Sequence, residues 1–178
     1  LPDKTASFML WSDEIKKYAE TISEESKEYW KNINRKLDNA KAISSNTEEN
    51  EAENISFTLD KVTYELINRV NNMYGTRTNE VLLTALGLAA NKIAGGAVGV
   101  MVESHGRTEL QKPIVLNRTV GWFTSCYPIV FEGVKDITGE LINIKETLRK
   151  IPRNGIDYLL LSEGFHKNAD ILFNYYKT

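Results

Sequence analysis

Residues 97–103, Ala-Val-Gly-Val-Met-Val-Glu, constrain this chain more than any other stretch. Val98, Val100 and Val102 fall on one strand face. Ala97, Gly99, Met101 and Glu103 fall on the other, so a strand with apolar residues behind it ends in a carboxylate. Gly95-Gly96 precedes the strand and Gly106 follows it, as turn signals. The glycine-rich run before it is no nucleotide loop, because a phosphate loop follows a strand and opens a helix. Further strands are predicted over Tyr127–Glu132 and Asp170–Tyr176, and alternation of Ile55, Phe57 and Leu59 predicts another.

Helical spacing fills the remainder. Phe8, Trp11, Ile15, Tyr18 and Ile22 mark one apolar helix face. Ser23 is placed to cap a second helix, with Tyr29, Trp30, Ile33 and Leu37 facing inward. Asp60 caps a third, with Val62, Leu66, Ile67 and Val70 as its inner face. Thr78 caps a fourth that stops at Gly95-Gly96 and is apolar on nearly every side from Val81 to Ala90, which predicts deep burial. Leu141, Ile144, Leu148 and Ile151 mark a fifth, stopped by Pro152. Helices alternating with strands imply a layered α/β fold. Residues 1–37 read as a helical unit, 38–54 as a flexible acidic linker and 55–178 as an α/β unit.

The charges nearly cancel, 22 Lys and Arg against 24 Asp and Glu. The formal net charge of −2 gives no basic footprint for nucleic acid. No apolar run is long enough to span a bilayer, and no signal peptide opens the chain, so a cytoplasmic setting is expected. One cysteine, Cys126, excludes an internal disulfide, and His105 and His166 alone argue against a zinc site, so no metal is expected. The start at Leu1-Pro2 suggests a piece of a longer protein.

Each chemistry-bearing residue has two readings. Glu103 can project into a cleft as a general base, or pair with Arg107 or Arg118 and fix a turn. His105 can be a base or a loop clamp. Arg107 can bind a phosphate or form a structural ion pair. Gly121-Trp122-Phe123 can be a turn packing two aromatics into the core. Asn174, opposite in parity to Phe173 and Tyr175, can donate to an oxyanion or satisfy nearby backbone. Cys126 reads as an inert thiol.

Several stretches, in order, resemble the epimerization domains of nonribosomal peptide synthetases. Glu103-Ser104-His105-Gly106-Arg107 is similar to the Glu-Gly-His-Gly-Arg motif of that family. Thr119 to Pro128, including Trp122, Thr124 and Tyr127, looks like Thr-Val-Gly-Trp-Phe-Thr-x-x-Tyr-Pro, the most specific of the set. Tyr74 to Leu86 looks like a second-lobe helix, Pro152 to Tyr158 resembles Pro-x-x-Gly-x-Gly-Tyr, and Phe173-Asn174-Tyr175 resembles Phe-Asn-Tyr. A condensation domain proper carries something like Val-Gly-x-Phe-Val-Asn-Thr instead. The hallmark His-His-x-x-x-Asp is absent from this sequence.

The resemblance implies a chloramphenicol acetyltransferase-like fold of the condensation-domain superfamily, with residues 1–37 the tail of a first lobe and 55–178 an incomplete second lobe. It implies an isomerase that removes and returns the Cα proton of an aminoacyl or peptidyl thioester on the phosphopantetheine arm of a carrier domain, without a directly bound cofactor. Glu103, Asn174 and Tyr175 match catalytic positions, with His105, Arg107, Trp122, Thr124 and Tyr127 as supporting positions. Other synthetase domains are expected partners, the chain alone is expected to be inactive, and self-association is expected. The alternatives are a condensation-type acyl or peptidyl transferase and a non-catalytic carrier-docking module. Asp157 and Ser104 replace glycines of the pattern, and Tyr176-Lys177 replaces Leu-Gly. Asp157 raises the question of whether its backbone conformation tolerates a side chain.

Overall fold

In the computed structural model, which describes residues 4–43, 53–110, 112–133, 136–161, 167 and 169–176, serine side chains start the first two helices. The elements follow in the order α1 (Phe8–Ala19), α2 (Glu24–Asp38), α3 (Lys61–Tyr74), α4 (Thr78–Ala94), β1 (Val98–Ser104), β2 (Ser125–Phe131), α5 (Ile137–Lys150), a 3-10 turn (Pro152–Gly155), α6 (Ile156–Leu160) and β3 (Ile171–Phe173). Ser7 Oγ accepts the Leu10 N–H at 3.1 Å, and Ser23 Oγ accepts the Ser26 N–H at 3.2 Å. Each bond satisfies a donor that the first helical turn leaves open. The mixed α/β architecture expected from the alternating patterns is present, and it sorts into two compact units.

One unit combines Leu1–Asn39, Gly99–Val130 and Lys150–Thr178. The three-stranded sheet has the order β2-β1-β3, and β1 pairs with β3 in parallel, Val100 opposite Ile171 and Val102 opposite Phe173. Trp11 and Tyr18 of α1 are buried, as their spacing predicts, while Phe8 of the same face is 42% exposed and Ile22, also buried, follows the end of the helix; Trp30 of α2 is completely enclosed. Its ring centroid lies 4.9 Å from Tyr29, 5.0 Å from Tyr158 and 6.0 Å from Tyr127. Aromatic pairs at such spacings add about 0.5–1.5 kcal/mol each beyond area burial.

Asp157 sits beside this cluster, 1% exposed. Its Oδ1 accepts the Tyr18 hydroxyl at 2.7 Å and its Oδ2 accepts the Ser26 hydroxyl at 2.5 Å. The doubt about its backbone is resolved by its place inside α6, which any side chain tolerates. The conformation that needs glycine is two residues earlier. Gly155 has φ +80°, and a Cβ there would lie 1.7 Å from the Tyr127 ring. Arg153 and Asn154 also have positive φ, at 47° and 52°. Three contacts hold them there: the Asn154 carbonyl accepts the Ser125 hydroxyl at 3.1 Å, the Asn154 amide donates to Thr108 Oγ1 at 3.1 Å, and Arg153 Nη1 donates to the Glu109 carbonyl at 2.9 Å.

The other unit combines Ala40–Val98 and Phe131–Arg149. Asp60 Oδ1 accepts the Thr63 N–H at 2.7 Å and starts α3, as the sequence indicates. Leu83, Ala90, Phe131, Leu141 and Ile144 are buried, and Gly87 lets the Phe131 ring approach so closely that a methyl would lie 2.1 Å from it. Asn91 Nδ2 donates to the carbonyls of Gly96 at 2.8 Å and Phe131 at 3.0 Å.

Several expectations need correction. Residues 53–60 form no strand, and Ile55 and Phe57 are 89% and 84% exposed. Alternation makes a strand only where a neighbour takes up its backbone hydrogen bonds. The Val62–Val70 face of α3 is only partly covered among the described residues: Ile67 and Val70 are half-buried, Val62 and Leu66 are 65% and 51% exposed, and no α3 side chain is fully buried. Thr78 is the first helical residue of α4, not its cap; Arg77 holds the cap position and donates its N–H to Glu80 Oε2 at 2.7 Å. α4 buries a single stripe, with Leu83, Thr84, Gly87 and Ala90 inside and Ala85 and Ala89 exposed, because small side chains make an apolar helix without requiring burial all round. β3 ends at Phe173, so Asn174, Tyr175 and Tyr176 follow the strand. Asp38 belongs to α2, while residues 44–52 of the expected linker, His166 and Lys177 lie outside the described residues.

The buried tyrosines make stability depend on alkaline pH. Burial pushes Tyr29 and Tyr127 up to about 12 and also raises Tyr158; burial and then the bond to Asp157 raise Tyr18. Below the unfolded value of about 10, folded and unfolded chains are both protonated and the contribution is fully present. Above it the unfolded chain releases protons that the folded chain retains, so stability falls as pH rises toward the folded values. The urea midpoint is expected to drop steadily above about pH 10, and Tyr127→Phe to flatten part of that slope. A midpoint constant through that window contradicts the burial of these phenols.

Candidate active site

The strand β1 delivers Glu103 near its C-terminal end, where the side chain is half-buried. Register brings Asn174 beside it, since Val102 lies opposite Phe173 in the parallel pair. The Asn174 side-chain nitrogen donates to Glu103 Oε2 and, at 2.8 Å, to the hydroxyl of Tyr176. Among the described residues Glu103 Oε1 takes part in no hydrogen bond and Glu103 forms no ion pair. Cys126 lies close enough to feel the carboxylate: burial and then the Glu103 charge push its thiol up, which keeps it protonated and unreactive at neutral pH.

The pairing of Glu103 with Arg107 does not form. Arg107 turns the other way, with Nη1 donating to the Leu116 carbonyl at 2.5 Å and Nη2 to the Thr119 carbonyl at 2.9 Å, and its guanidinium lies 4.0 Å from the centroid of Phe123. His105 Nδ1 accepts the Arg107 backbone N–H at 3.0 Å, which holds the loop. Gly106 makes this loop possible. Its φ is +60°, and a Cβ would lie 1.5 Å from the Phe123 carbonyl oxygen.

The remaining residues lie apart from this pair. Trp122 is 75% exposed while Phe123 is buried, so the two aromatics are not both core residues. Trp122 and Thr124 line a separate groove of about 230 Å³ with Phe8, Trp11 and Ile156. Tyr127 is buried against Trp30 and Gly155. Tyr175 is partly exposed beside the pair in sequence. Tyr176 escaped identification as a site residue, although its parity with Asn174 was the signal for it. Among the described residues no group of three or more His, Cys, Asp or Glu could hold a metal, and no helix is long and apolar enough to cross a membrane.

Replacing Gly106 with alanine forces a side chain into left-handed backbone and onto a carbonyl. Such a change costs at least about 1–2 kcal/mol. Gly106→Ala is expected to lower the unfolding free energy by that amount and to move the denaturant midpoint down with it, and an unchanged midpoint contradicts the loop geometry.

Residues 1–175 match the family model for the condensation domain. Gramicidin S synthase 1 of Brevibacillus brevis is 40% identical over 167 residues, covering 89% of this chain and 15% of that protein. The crystal structure of the epimerization domain from the third module of tyrocidine synthetase B superposes with a TM-score of 0.73 at 33% identity, over 94% of this chain and 39% of that one. The first condensation domain of the calcium-dependent antibiotic synthetase shares the fold, with a TM-score of 0.69 at 13% identity over 91% of this chain and 38% of that one. The chain therefore spans a minor part of each relative's length. With a chloramphenicol acetyltransferase-like fold and a family match from residue 1 to residue 175, it belongs to the condensation domain family.

Proposed function

We propose that this chain is part of an epimerization domain that interconverts the L and D forms of an aminoacyl or peptidyl thioester presented on the phosphopantetheine arm of a carrier domain. The observation that carries this reading is Glu103 itself: a half-buried carboxylate with one oxygen held by the Asn174 amide and the other without a hydrogen-bond partner among the described residues. A general base needs a fixed carboxylate with a lone pair available to the proton it removes. The 33% identity to a solved epimerization domain supports the same reading.

On this reading Glu103 Oε1 takes the Cα proton and the thioester carbonyl accepts the charge as an enolate. Return of a proton to the opposite face inverts the centre. The chain supplies one of the two proton-transferring groups, since it contains no adjacent pair of histidines. Asn174 keeps the carboxylate oriented, and Tyr175 follows it at the edge of the same site. His105 and Arg107 hold the loop after β1 and act on the site only through its shape. The partners are the loaded carrier domain and the other domains of the synthetase, in the cytoplasm.

Glu103→Gln keeps the shape but cannot accept a proton. In the full-length polypeptide it is expected to slow equilibration of the carrier-bound thioester by about 10²- to 10⁴-fold while carrier binding persists. Chiral chromatography of the released amino acid after quenching measures this, and an unchanged rate rejects Glu103 as the base.

Self-association is the other part of the proposal. Among the described residues β3 lies at the edge of the β2-β1-β3 sheet with Leu172 59% exposed, and an open strand edge favours pairing with a second copy. Light scattering over a concentration series is expected to show dimers or larger species, and a monomer at every concentration rejects it.

A further inference from the structure

We propose that Tyr176 is a positioning residue for the Glu103–Asn174 pair, an inference that rests on the reading of Glu103 as the base. Asn174 lies just past β3 and is exposed, so packing does not fix its amide. Two hydrogen bonds do. The nitrogen gives one hydrogen to Glu103 Oε2 and the other to the Tyr176 hydroxyl oxygen at 2.8 Å. An exposed amide left to itself samples several orientations, and ordering it costs entropy that a single bond recovers poorly.

With both hydrogens engaged, rotation of the amide breaks two bonds together. A half-turn also brings the amide oxygen against the carboxylate, two acceptors facing each other. Tyr176 thus holds Asn174 in the orientation that keeps Glu103 Oε2 occupied and leaves Oε1 to the substrate. The phenol accepts this bond with its oxygen, so its own proton remains free to donate. Residues 174 and 176 share parity, which puts both side chains on one side of the extended segment and Tyr175 on the other. The motif that residues 173–175 resemble continues with Leu-Gly, which has no hydroxyl to offer. The clamp therefore belongs to this chain and not to the motif.

The test compares Tyr176→Phe and Tyr176→Leu with the parent in two measurements. Nitrogen-15 NMR of this chain follows the Asn174 side-chain amide, whose two protons are expected to shift and exchange faster in both variants. In the full-length polypeptide, kcat for exchange of the Cα proton of a carrier-bound aminoacyl thioester is expected to fall about two- to ten-fold, the range for losing one hydrogen bond. KM for the loaded carrier is expected to stay constant, and Phe and Leu to behave alike because both lack the hydroxyl. Parental kcat in Tyr176→Phe, a loss confined to KM, or an unmoved Asn174 amide overturns the proposal. If the parent polypeptide exchanges no Cα proton at all, the epimerase reading fails, and the Asn174 amide then decides the positioning role: displacement supports it, no displacement overturns it.

Discussion

A buried carboxylate organises the unit that carries the candidate site. Asp157 accepts hydroxyls from Tyr18 and Ser26, which stand 139 and 131 residues away in sequence. A charge removed from water is tolerated only when hydrogen bonds replace its hydration, and each such bond contributes about 1.5–3 kcal/mol. The two hydroxyls come from α1 and α2, so a single residue of α6 ties both helices to the turn before it. That turn holds backbone in a strained region at Arg153 and Asn154, which persists only where surrounding contacts over-determine it. Bonds to Ser125, Thr108 and Glu109 supply those contacts, and the Tyr127 ring closes over Gly155.

The same turn connects this anchor to the candidate site. Ser125 begins β2, and the next residue, Cys126, lies within the field of Glu103. Glu103 in turn is brought to Asn174 by the parallel pairing of β1 with β3. Placing the carboxylate on a strand gives it a more rigid mount than a loop could. The loop after it is made equally definite by Arg107, which spends its guanidinium on two carbonyls and the face of Phe123. The guanidinium nearest to Glu103 in sequence is therefore occupied, and among the described residues Glu103 Oε1 has no hydrogen-bond partner.

How much of this was legible depended on the range of the interaction. Ser7, Ser23 and Asp60 act within three residues of themselves, and the starts of α2 and α3 were readable for that reason. Residues 97–103 read as a strand because their own side chains demanded burial, and β1 covers nearly the same residues. Ile55 and Phe57 had the same alternation without the same outcome, since a strand also needs a partner and no composition supplies one. The apolar face of α3 is covered only in part: periodicity says which side is apolar, and only packing says whether anything lies against it.

The chain by itself determined where α2 and α3 start, where β1 runs and that a carboxylate ends an apolar strand followed by a glycine turn, because these follow from local sterics and local hydrogen bonding. It also determined the family, through motifs whose order survives without any coordinates. Tertiary structure alone decided which polar groups meet. Arg107 could have faced Glu103 and instead faces Leu116 and Thr119; Asp157 stands in sequence as a glycine replacement and in the fold anchors two helices; Tyr176 stands in sequence as a departure from a pattern and in the fold touches Asn174. Such pairings depend on how segments far apart in sequence are laid side by side, and hydrogen-bond distances are set only once that packing is complete.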